Sequence, residues 1–156
     1  MTPERFTELF NNVSNELIRK PKDIASSNDF VNRFESVAKT ICKREPMIED
    51  YIRLAQLANY KAMEWSLDLL TLSKDTLVSK AKEYSMKGDR LWNFKPNYKF
   101  MAMTPLANLN GYLRKHLASC MDMELGYINP TEKLVIEKYG DVFNYCVLAI
   151  ALLSED

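Results

Sequence analysis

The stretch Leu134-Val135-Ile136-Glu137-Lys138-Tyr139-Gly140-Asp141-Val142-Phe143-Asn144-Tyr145-Cys146-Val147-Leu148-Ala149-Ile150-Ala151-Leu152-Leu153 is apolar on most sides of a 3.6-residue period. Such a helix belongs in a core. Three polar residues interrupt it. Glu137, Asp141 and Asn144 stand at i, i+4 and i+7, which places them on one narrow stripe. A carboxylate on a buried helix is costly unless something compensates it. The stripe is therefore expected to face a cation, a basic side chain or a polar pocket. With oxygen ligands at i and i+4, Glu137 and Asp141 suit Mg²⁺, which binds one or two carboxylates plus substrate phosphates. The same groups also suit an ion pair with Lys115 or Arg114 across a helix interface.

Outward from this segment, helical signals repeat. Thr131 follows Pro130 and precedes the apolar run, and Thr104-Pro105 is a hydroxyl cap followed by proline. That pair starts a helix reaching about Leu125, and Gly126 to Asn129 is the turn between the two. Thr2-Pro3 gives the same start signal at the beginning of the chain, with Phe6, Phe10, Val13 and Leu17 behind it. Ser27-Asn28-Asp29 opens a second helix with Phe30, Phe34, Val37 and Ile41, stopping before Pro46. A long third helix is expected from about Met47 to Leu72. Ser73 or Asp75 then caps a shorter fourth helix through Tyr84. The segment from Gly88 to Met103 reads as irregular. The pattern predicts an all-α, single-domain bundle of about six helices and no strand.

Composition agrees. The 156 residues suffice for one domain with a sizeable core, and 47% hydrophobic with 27% charged residues is a globular balance. Four glycines and six prolines supply few tight turns for a sheet protein. Lys plus Arg equals Asp plus Glu at 21 each, so no basic excess points to duplex nucleic acid. No secretory leader is read in Met1-Thr2-Pro3-Glu4-Arg5. The longest uncharged run, Val142 to Ser154, falls short of the roughly 20 residues that cross a bilayer, so no membrane association is expected. Three widely spaced cysteines (Cys42, Cys120, Cys146) read as reduced, buried thiols of a cytoplasmic protein. The ring-rich faces of the N-terminal helices (Phe6, Phe10, Phe30, Phe34) want a partner, within the chain or in a homo-oligomer.

Two further constellations carry chemistry. Between Lys82 and Lys95, the cations Lys82, Lys87, Arg90 and Lys95 alternate with Tyr84, Trp92 and Phe94. Cations beside flat rings suit a nucleotide, phosphate on one and base on the other, while Asn93 reads a base edge or holds a turn. A hydrophobic plug with a solvated rim is the plainer reading of the same residues. On the fifth helix Lys115, Ser119 and Asp122 share a face. His116 shares the opposite one with Leu109, Leu113, Cys120 and Met123, as a core histidine or a ligand-binding one. No His/Cys spacing suits zinc. No Gly-x-Ser-x-Gly, Cys-His signature or glycine-rich phosphate loop occurs, so an enzyme here would use metal and water.

Three stretches carry a resemblance: Lys82-Glu83-Tyr84 with Gly88-Asp89-Arg90-Leu91-Trp92-Asn93-Phe94; Lys115-His116-Leu117-Ala118-Ser119-Cys120-Met121-Asp122-Met123; and Glu137-Lys138-Tyr139-Gly140-Asp141-Val142-Phe143-Asn144-Tyr145. Over Ser79 to Leu153 the chain resembles a family of small bacteriophage and prophage proteins labelled nucleotide-modification-associated. Its last helix is also similar to the Glu-Glu-x-x-Asp helix of MazG-type all-α nucleoside triphosphate pyrophosphohydrolases. Glu137 matches the first Glu and Asp141 the Asp. Lys138 stands where the second Glu would be, and the neighbouring helix offers Asp122 and Glu124 in place of a Glu-x-x-Glu pair. The resemblance implies a protein of the bacterial host cytoplasm that handles nucleotides. Glu137 and Asp141 would be catalytic, and Glu137, Asp141 and Asp122 would hold Mg²⁺. Lys82, Arg90, Trp92, Asn93, Lys115, His116 and Asn144 would bind the ligand. The alternatives are a non-catalytic binder that sequesters a nucleotide signal of host immunity, and a helical protein-interaction module.

Overall fold

The computed structural model describes residues 1–43, 45–83, 85–95 and 104–155. Six α-helices make an all-α bundle: α1 (Pro3–Leu17), α2 (Ser27–Lys43), α3 (Ile48–Met63), α4 (Leu69–Ser73), α5 (Pro105–Glu124) and α6 (Glu132–Leu153). A π-helical segment, Lys74–Val78, continues α4, and a 3₁₀ turn covers Trp92–Phe94. Among the described residues there is no strand, only an isolated antiparallel bridge between Met86 and Asp89. None of these helices is long and apolar enough to cross a membrane.

The three Thr signals are real caps. Thr2 Oγ1 accepts from the Arg5 N–H at 3.2 Å, Thr104 Oγ1 from Ala107 at 3.1 Å and Thr131 Oγ1 from Leu134 at 3.2 Å. Each satisfies an N–H that the first helical turn leaves without a partner. Gly126 adopts φ +81° after α5, and the Tyr127 N–H reaches back to the Asp122 carbonyl at 2.9 Å. This left-handed cap lets α5 and α6 run back against each other.

The expected helix from Met47 to Leu72 is two helices. α3 stops at Met63, Ser66 turns left-handed at φ +57°, and the Leu67 N–H bonds the Ala62 carbonyl at 3.0 Å. This is a glycine-type cap made by a serine, so the apolar period ran on without a visible break. Asp68, not Ser73 or Asp75, caps the next helix, accepting from Thr71 N–H at 3.1 Å. The fourth helix is also shorter than expected. It ends its regular hydrogen bonding at the π segment, and Tyr84 lies outside the described residues.

α3 and α6 form the centre and pack most extensively on each other; α5 covers α6, while α1 and α2 cover α3. Tyr51 donates to Asn110 Oδ1 at 2.7 Å inside the core, tying α3 to α5. Phe6, Phe10, Phe30 and Phe34 are all buried within this chain. Their partner is intramolecular: Phe30 stacks on Phe34 and Tyr60, and Phe34 meets Tyr139 edge-on. The ring-rich faces therefore give no ground for a homo-oligomer. Cys120 and Cys146 are buried as expected, whereas Cys42 is exposed near the end of α2.

Candidate functional site

The irregular segment is locally well determined. Lys87 (φ +54°) and Gly88 (φ +73°) form a tight turn with both central residues left-handed, closed by Met86–Asp89 bonds of 3.0 and 3.2 Å. Asp89 Oδ1 then accepts from the Leu91 N–H at 3.0 Å, which leads into the 3₁₀ turn. The Arg90 N–H donates to the Met1 carbonyl at 2.8 Å. The Arg90 guanidinium lies 5.0 Å from the Phe6 ring centroid, and the residue is only 4% exposed. Around this turn stands a charge network. The Met1 amino group contacts Asp89 and Glu155, and Lys95 Nζ reaches Asp89 Oδ2 at 2.7 Å and Glu155 Oε1 at 2.8 Å. Burial opposes ionisation of Asp89 and Glu155, but the cations and hydrogen bonds outweigh it and hold both carboxyls below their usual range.

Against this turn lies a cavity of about 300 Å³, lined by Thr76, Leu77, Arg90, Asn93, Phe94, Asp141, Asn144, Tyr145 and Leu148. Four of the sequence-predicted residues meet here: Arg90 and Asn93 from the irregular segment, Asp141 and Asn144 from α6. His116 adjoins it, with Nδ1 3.4 Å from Asp141 Oδ2 and its ring 5.4 Å from that of Tyr145. Tyr145 also stacks on Tyr112 at 6.3 Å and meets Phe94 edge-on at 6.4 Å. The rings hold one wall of the cavity in place. Burial lowers the His116 pKa against the pull of Asp141, and burial raises that of Asp141 against the pull of His116.

The expected ion pair with Lys115 or Arg114 is replaced by this contact with His116. The reason is helical phase. Asp141 faces the α5 side that carries His116, and Arg114 and Lys115 are exposed. Glu137 belongs to the predicted stripe but not to the cavity. Its side chain is 51% exposed and pairs with Lys138 at 3.3 Å, whereas the Asp141 side chain is 39% exposed and lines the cavity. Glu137 sits a turn nearer the helix start, beyond the part of α6 that the core covers. Asp122 is six residues beyond His116, about 9 Å along α5, and is not on the lining.

Lys82 is exposed and borders a separate small cavity beside Pro3, Glu4 and Thr7. Trp92 is half-buried, with Lys87 Nζ 5.1 Å from its ring, and is also off the lining. Its neighbour Phe94 takes the wall position. Residues 96–103 of the predicted irregular stretch lie outside the described residues.

Sequence reasoning missed Thr76, Leu77, Tyr145 and Leu148. Leu148 and Tyr145 extend the Asp141/Asn144 stripe by another turn, at i+7 and i+4 from Asp141, so helical spacing would have found them. Thr76 and Leu77 depend on the π segment, where the Ser79 N–H bonds the Lys74 carbonyl five residues back at 3.0 Å. No sequence signal marks that. Such wide turns recur at functional sites.

Among the described residues no group of three or more His, Cys, Asp or Glu side chains is arranged to hold a metal ion. Asp141 is the one carboxylate on the described lining, with the Asn144 side chain beside it. These offer part of an oxygen shell for Mg²⁺, and a phosphorylated ligand would supply the rest. The chain matches no protein-family model, no curated protein sequence and no solved structure.

Proposed function

We propose that the cavity between α6 and the 86–95 segment binds a nucleotide. One observation carries this reading. Arg90 and Asn93, nominated for phosphate and base, converge with Asp141 and Asn144, nominated about fifty residues later for a polar ligand, on a single cavity. In this reading Arg90 faces a phosphate with a charge-assisted hydrogen bond. Phe94 and Tyr145 offer flat walls to a base, and the two asparagine amides pair with its edge or with ribose hydroxyls. Mg²⁺ arrives on the phosphates and takes oxygens from Asp141 and Asn144.

The exposure of Glu137 and the distance of Asp122 favour a binder over a pyrophosphohydrolase, because only one of the three expected metal carboxylates reaches the cavity. Hydrolysis is the second reading, supported by Asp141 being held beside His116, as a proton-accepting carboxylate often is.

The test is calorimetric titration with nucleoside mono-, di- and triphosphates, with and without Mg²⁺, together with an assay for released pyrophosphate. The expected result is saturable one-site binding without turnover, weakened at least tenfold by Asn144→Leu in a variant that keeps its helical circular dichroism. Mg²⁺-dependent turnover lost in Asp141→Asn would favour hydrolysis. Absence of heat with every nucleotide would remove both readings and leave an interaction module.

A further inference from the structure

A second cavity, about 440 Å³ and larger than the first, lies where α2, α3 and the loop after α1 meet. Its floor is apolar, from Pro21, Val37 and Leu57, and its lining carries three cations, Lys22, Arg33 and Arg53, with no carboxylate. The loop is pinned rather than loose. Arg33 donates to the carbonyls of Lys22 and Asp23 (2.7 Å to the latter) and forks onto Asp29 at 3.1 and 3.2 Å. Asp23 is held at φ +58°, a conformation that costs energy in a residue other than glycine. Gln56 Nε2 fixes the other end by donating to the Glu16 carbonyl at 2.9 Å.

The carboxylates that answer the arginines lie outside the groove. Asp29 pairs with Arg33, and Asp50 pairs with Arg53 at 3.2 Å from beneath, but neither is on the lining. Glu16 and Glu49 border an adjoining groove on the other side of Arg53 and Gln56. Charge is thus sorted across Arg53, cationic on the large cavity and acidic beyond it. An apolar floor with a cationic rim and three polar neutral groups (Asn32, Ser36, Gln56) is complementary to one class of ligand.

We infer that this cavity binds a small organic anion with an apolar body, the body against Leu57 and Val37 and the anionic head toward Lys22 and Arg53. It is independent of the nucleotide proposal, since the two linings share no residue.

The experiment titrates the full chain with 4-phenylbutyrate and, separately, with 4-phenylbutanol, which keeps the body and loses the charge. Binding is followed by amide chemical shifts. The expected result is saturable one-site binding of the carboxylate, with shifts confined to 21–37 and 53–57 and the alcohol at least tenfold weaker. Lys22→Glu, on an exposed side chain that pins nothing, should weaken the carboxylate severalfold and leave the alcohol unchanged. Arg53→Gln should do the same if its melting curve shows it folded. Equal affinity for acid and alcohol, shifts spread over the whole chain, no saturation at millimolar concentration, or indifference to Lys22→Glu would each overturn the inference.

Discussion

His116 Nδ1 and Asp141 Oδ2 sit 3.4 Å apart across the α5–α6 interface, joining a half-buried imidazole to the carboxylate that lines the candidate cavity. Lys115 from α5, and Glu137 and Lys138 from α6, act on the same imidazole. Burial dominates, so His116 titrates below its ordinary 6.5 in the folded chain. The unfolded chain then binds more protons, and stability rises with pH. The contribution is complete above 6.5 and is lost as pH falls through that value toward the lower folded pKa. Urea denaturation between pH 7.5 and 5 should show this decline, and His116→Gln should flatten it. Asp141→Asn should lower the His116 pKa further in an NMR titration. A rise would mean the carboxylate does not act on the ring.

Tyr51→Phe removes the hydroxyl that donates to Asn110 Oδ1 in the core. The amide oxygen then loses its partner where water is scarce. The expected cost is about 1–3 kcal/mol, read as a lower urea midpoint with an unchanged slope.

Burial raises the thiol pKa of Cys120 and Cys146 and keeps reagent away, while Cys42 is exposed. Ellman's reagent should therefore label one thiol per native chain and three in denaturant. Labelling of Cys120 or Cys146 at the rate of Cys42 would contradict the packing of α5 against α6.

Asp89 and Glu155 are held ionised by Lys95 and the Met1 amino group, with pKa values below the ordinary 3.8 and 4.5. Their stabilisation is present above those ordinary values and fades as pH falls through the lower folded ones. Asp89→Asn should make the acid limb of the stability curve shallower below pH 5. It should also weaken nucleotide binding, because Asp89 shapes the turn that presents Arg90 and Asn93.

The sequence was most legible where one residue does the work locally. Thr104-Pro105 and Pro130-Thr131 announced both long C-terminal helices to within a residue, because a hydroxyl cap acts on an N–H three positions away. It was least legible where a common residue takes a rare conformation. Ser66 ends α3 in the place a glycine would mark, and the apolar period from Leu54 to Leu69 concealed the break. The stripe on α6 was half legible. Spacing puts Glu137 in line with Asp141 and Asn144, but spacing cannot say where along the axis the neighbouring elements stop covering the helix. Glu137 lies past that point and Asp141 does not.

The wide turn at Lys74–Val78 holds one residue more than an α-helical turn of the same span, and Thr76 and Leu77 within it border the cavity. A single-residue excision there would restore 3.6-residue winding and rotate everything downstream by about 100°. The chain thus carries an adjustable joint beside its pocket, where the length of one turn, rather than the chemistry of any side chain, sets which groups look inward.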